Sequence, residues 1–175
     1  MVIIKNEIKK IAVSAIFSAL IVAMILFGTF AEVFDITVAA ICTFGICIIL
    51  FEAKFKYALL TYITSSILGF IFAPLSSALL YFVFFFGYYP IFKFSLRKLP
   101  KLLRKILGIL LFNTAMVLLL LLFKAVFAMT GEPAYMYVLL IATLNVIFLC
   151  LDYLLDIFPI IYTRKLRNKI KFMFR

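Results

Sequence analysis

No histidine occurs among the 175 residues. Its absence removes Ser–His nucleophilic pairs, histidine metal sites and the HExxH protease motif. No Walker A glycine loop is present, so the chain does not power itself with ATP. The stretch DYLLD, Asp152 to Asp156, falls short of the longer aspartate motif of metal-dependent lipid phosphotransferases. Cys42, Cys47 and Cys150 form an odd set inside apolar runs, with neither zinc-site nor CxxC spacing, and read as packing residues. Together these absences predict a protein that is not an enzyme and holds no metal or cofactor. Charge is scarce as well: 14% of residues carry it, against roughly 25% in soluble domains.

What replaces charge is hydrophobic sequence, 68% of the chain. Apolar stretches near the ~20 residues that cross a bilayer recur between short polar breaks. They predict an all-α integral membrane protein, a compact bundle of six transmembrane helices forming a single domain over 1–175, with spans at 9–28, 34–51, 57–73, 76–94, 106–128 and 134–161. The basic N-terminus ahead of the first apolar stretch has the order of a signal peptide. The stretch is too long, however, and lacks a small-residue cleavage site, so it is expected to remain as span 1.

Six spans put both termini on one side, and the distribution of Lys and Arg assigns that side to the cytoplasm. With the first, third and fifth breaks outside, 17 of the 18 basic residues fall inside; Lys124 alone lies toward the outer face, where Glu32, Asp35 and Glu132 gather. The net charge of +11 is thus used in topology, and the prediction is a multi-pass bacterial plasma-membrane protein with cytoplasmic termini. Nucleic acid is not an expected partner, because the cations hug span ends instead of forming a solvent-facing reading surface. The run KFSLRKLPKLLRK, residues 93–105, is expected to lie on the cytoplasmic interface, with leucines in the acyl boundary and cations at lipid headgroups. A docking surface for another protein is the alternative.

Span 6 contains Asp152 and Asp156, each costing about 2.5–3.5 kcal/mol at a helix centre. At 100° per residue, Asn145, Asp152 and Asp156 fall within about 20° of one direction and form a polar stripe. Asp156, Asn113 and Tyr89 each lie eight residues from a basic residue at a span end, namely Arg164, Lys105 and Arg97. A buried polar layer of Tyr89 (or Tyr88), Asn113, Asp152 and Asp156 is expected, with Lys93 or Arg97 as its cations. Pro159 and Pro90 remove the amides that would bond the carbonyls of Leu155 and Phe86, so those carbonyls need other donors. The aspartates either fix helix packing by ion pairing or bind a proton or cation.

Nearer the outer face, Lys124, Tyr135, Tyr137, Asn145 and Ser76 are candidate contacts for a small, partly aromatic or anionic molecule. Lys124 also fits an interfacial anchor, and tyrosine is enriched at any membrane interface. On span 1, Ala12, Ala15, Ala19 and Ala23 fall within an arc of about 80°, a small-residue stripe suited to close helix packing.

With its length, six spans and the sequence AVSAIFSALIVAM in span 1, the chain resembles substrate-binding S components of energy-coupling factor (ECF) transporters. The resemblance covers the whole chain at the level of architecture. It implies capture of a vitamin or similar micronutrient in the outer half of the bundle. It also implies docking through the AxxxA pattern, here Ala15, Ala19 and Ala23, on a transmembrane scaffold subunit driven by two cytoplasmic ATPases. The missing N-terminal histidine motif argues against a cobalt or nickel cargo. The alternatives are a non-catalytic morphogenesis scaffold similar to MreD and a small proton-coupled carrier, the latter disfavoured by the lack of an evident internal repeat.

Overall fold

The computed structural model describes residues 2–31, 34–127 and 134–166, and among these there is helix and no strand. Among the described residues, six helices are long and apolar enough to cross a membrane: Glu7–Phe30, Asp35–Glu52, Phe55–Phe72, Ser77–Lys98, Lys101–Leu122 and Ile141–Arg164. They coincide with the expected spans to within a turn at most ends, because long apolar runs closed by charge, proline or glycine leave a helix little choice of boundary. The outer acids Glu32 and Glu132 lie outside the described residues. The chain divides into two compact units, Met1–Phe92 with Ile157–Arg175, and Lys93–Asp156.

In the first unit, α1 (Val2–Ala31) packs against α2 (Asp35–Glu52) and α3 (Phe55–Phe72). The α1 seam consists of Val13, Ser14, Ser18, Ile21, Val22 and Ile25, all buried. The residues that α3 buries are small, namely Ala58, Thr61, Ser65 and Gly69; Thr61 meets Ser18 of α1, and Gly69 lies against Leu79. Small side chains let two backbones approach, which is how helices associate where lipid removes the hydrophobic drive. Two of the hydroxyls are satisfied within their own helices, Ser18 donating to the Ser14 carbonyl at 3.0 Å and Ser65 to the Thr61 carbonyl at 2.7 Å, whereas the buried Ser14 hydroxyl has no hydrogen-bond partner among the described residues.

The fourth span is broken. After α4 (Ser77–Tyr81) the helix widens into a π segment, Phe82–Phe86, turns at Gly87 and Tyr88, and resumes as α5 (Tyr89–Ser95). Pro90 forces part of this, since it cannot bond the Phe86 carbonyl. That carbonyl instead accepts from the Thr43 hydroxyl of α2 at 3.0 Å, and the Val83 carbonyl accepts from the Tyr62 hydroxyl of α3 at 2.9 Å. Gly87 is needed here because a Cβ would lie 2.6 Å from the Tyr62 ring and 2.9 Å from the Phe82 carbonyl oxygen. Tyr89 is buried in this unit and stacks on Phe85 with ring centroids 4.7 Å apart.

The second unit is built mainly from α6 (Lys101–Phe127) and α7 (Ala134–Ile161). They run antiparallel in a single register: Arg104 meets Asp156, Phe112 stacks on Phe148 with ring centroids 4.8 Å apart, and Asn113 meets Asn145. α7 continues through Pro159 to Ile161 and then widens into a π turn, Tyr162–Leu166. Within the first unit, buried Tyr162 donates to Glu52 Oε1 at 3.1 Å and stacks with the rings of both Phe51 and Phe158.

Candidate functional site: an ionic cluster and an amide pair on α7

Asp152 and Asp156 are one helical turn apart, so both reach the same neighbours. Lys93, near the end of α5, places its Nζ 2.5 Å from Asp152 Oδ1, 2.7 Å from the Asp152 carbonyl oxygen and 3.0 Å from Asp156 Oδ1. Arg104, in the first turn of α6, approaches the same Asp156 oxygen at 3.4 Å. The cluster is graded in exposure. The side chain of Asp152 is 8% accessible and that of Lys93 10%, whereas Asp156 reaches 38%.

Two cations and two carboxylates make the cluster neutral, the condition under which ionised groups persist at membrane depth. Lys93 supplies the strongest contacts because its flexible stem carries a point charge to three oxygens at once. Arg104 offers a planar fork but uses one nitrogen at a long distance, so it balances charge more than it orients Asp156. Among the described residues no group of three or more acids and cysteines is arranged to hold a metal ion. The cluster is suited to holding α5, α6 and α7 together and to exchanging a proton or ion only if Lys93 is displaced.

Seven residues along α7, about 10 Å at helical rise, a second polar feature appears. Asn113 Nδ2 donates to Asn145 Oδ1 at 3.1 Å, and Asn145 Nδ2 donates back to Asn113 Oδ1 at 3.0 Å. Each Nδ2 also donates to the carbonyl four residues earlier, of Ile109 and Ile141 respectively, at 2.9 Å. Every amide donor is therefore used.

The expected polar layer is distributed as follows. Asp152 and Asp156 share Lys93, Asn113 pairs with Asn145, and Tyr89 belongs to the other compact unit. Arg97, considered as a cation for the aspartates, instead lies over the Phe94 ring at 5.0 Å. Arg104 takes that place; its pairing was accessible only through the antiparallel register, since 52 residues separate it from Asp156.

Of the outer candidates, Ser76 caps α4, its Oγ accepting from the Leu79 amide at 3.2 Å. Asn145 is committed to Asn113. The side chains of Lys124, Tyr135 and Tyr137 lie outside the described residues. On α1, Ala12, Ala15, Ala19 and Ala23 are exposed, on a face about 120° round the helix from the serine seam that packs on α3. Comparison of the chain with known protein families, with characterised proteins and with solved structures gives no match.

Proposed function

We propose that this chain is the substrate-capture subunit of an ECF-type importer, a non-enzymatic multi-pass protein of the plasma membrane with both termini in the cytoplasm. One observation carries the reading: the alanine face of α1, Ala12, Ala15, Ala19 and Ala23, is left uncovered within a spanning helix. The helix uses a different small-residue seam, through Ser14 and Ser18, for packing inside its own chain. An exposed strip of small residues at membrane depth suits close approach by a helix of another subunit. The bias of Lys and Arg supports the orientation.

In this reading the partners are a transmembrane scaffold subunit and two cytoplasmic ATPases, which supply the energy this chain lacks. The cargo is a vitamin or similar micronutrient, held in the outer half near Lys124, Tyr135 and Tyr137. Asn145 and Ser76 join it only by exchanging the bonds they make here. The ionic cluster is a structural clamp. Gentle purification of the tagged protein from its native host, followed by mass spectrometry, tests the proposal. Recovery of paired ATPases with a helical scaffold subunit is expected; recovery of cell-wall or cytoskeletal proteins in their place contradicts it and favours a morphogenesis scaffold.

A further inference from the structure

The cations around the start of α6 are unlike those of the ionic cluster. Arg97, Lys98, Lys101 and Lys105 are all exposed, and none makes an ion pair with an acid among the described residues. Their placement is electrostatically costly. Lys101 and Lys105 are four apart on one helix face, a repulsive spacing, and the first turn of α6 holds no acidic residue to offset its own positive end. Such a concentration of like charge calls for an anionic counterpart.

Position and neighbouring residues indicate which anion. One spanning helix ends at Lys98 and the next begins at Lys101, so the cations sit at headgroup level. Directly beside them on α6, an apolar strip of Leu102, Ile106 and Leu110 runs into the span, 74%, 51% and 63% exposed. At 100° per residue, Lys101 and Lys105 lie about 40° apart, and the strip begins about 60° further round. A soluble anion would match the cations alone. A phospholipid with an anionic headgroup matches both, its phosphate among the lysines and an acyl chain along the leucine strip.

We propose that residues 97–110 form a selective site for an anionic phospholipid, with Lys98, Lys101 and Lys105 binding the headgroup and Leu102, Ile106 and Leu110 the chain. The site requires that the helices cross a bilayer and is independent of any cargo. Its test needs neither partner subunits nor substrate, so its failure is distinguishable from failure of the importer reading.

The experiment is native mass spectrometry of the full-length protein in mild detergent, titrated with phosphatidylglycerol or with phosphatidylcholine of identical acyl chains. The wild type is expected to retain phosphatidylglycerol on the order of tenfold better. The variant R97Q/K98Q/K101Q/K105Q should bring the two lipids to near parity, while K98R/K101R/K105R, which keeps the charge, and K54Q/K56Q, which removes exposed cations elsewhere, should retain the preference. Equal retention of both lipids by the wild type overturns the proposal, as does an undiminished preference in the glutamine variant. Displacement of phosphatidylglycerol by inorganic phosphate alone would also overturn it, by assigning the site to a soluble anion.

Discussion

At the scale of single residues, the most consequential side chain is Lys93. It bonds both Asp152 and Asp156 and is itself almost wholly buried, so removing its charge strands a carboxylate where solvation is poor. Breaking one partner of a buried ion pair costs about 3–5 kcal/mol, whereas replacing both by apolar groups is often neutral. Lys93→Met is therefore expected to lower thermal stability in detergent strongly, and the double variant K93M/D152L to recover most of the loss. Equal instability of the single and double variants would show that the ion pair is not what the lysine provides. Leu75 is a quieter case. With φ at 60°, it occupies a turn position where glycine is usual, between Pro74 and the helix-capping Ser76.

At the scale of elements, the α6–α7 hairpin shows how polar residues set register in a membrane. Apolar faces of two helices slide past each other at little cost, but Asn113 and Asn145 satisfy one another in a single alignment, and Arg104 with Asp156 requires the same one. Substituting either asparagine by leucine should cost roughly 0.6–1.7 kcal/mol and the pair should couple in a double-mutant cycle, measured by reversible unfolding in detergent. Additive effects would contradict the register role. The sequence made Asn145, Asp152 and Asp156 readable as one stripe, because helical period alone defines it. Their partners were only partly readable. Lys93 was anticipated from depth, but the bond between the two asparagines and the choice of Arg104 over Arg97 depend on how α6 and α7 align, which periodicity within one helix does not encode. In the fourth span, Pro90 announced a freed carbonyl at Phe86, while its donor, Thr43, comes from a distant helix.

At the scale of the whole molecule, the six long apolar helices were legible because hydrophobic length and terminal charge act locally along the chain. The alanine stripe of α1 was legible from helical period, but its exposure was not, since a small-residue stripe serves equally well inside one chain or between two; α1 packs through Ser14 and Ser18 and leaves the alanines exposed. The proposed orientation makes a direct prediction. In a cysteine-free background, a membrane-impermeant maleimide should label Thr130→Cys in intact cells and Lys54→Cys only after permeabilisation, and the reverse pattern would invert the topology. The central claim is that this face docks on an energised scaffold. The measurement that tests it most directly compares native copurification by the wild type and by A15L/A19L, whose larger side chains block close helix approach. The account predicts recovery of paired ATPases and their membrane scaffold with the wild type and their loss with the variant at equal expression and thermal stability. ATPases absent from the wild type, or recovered equally with both, would contradict it.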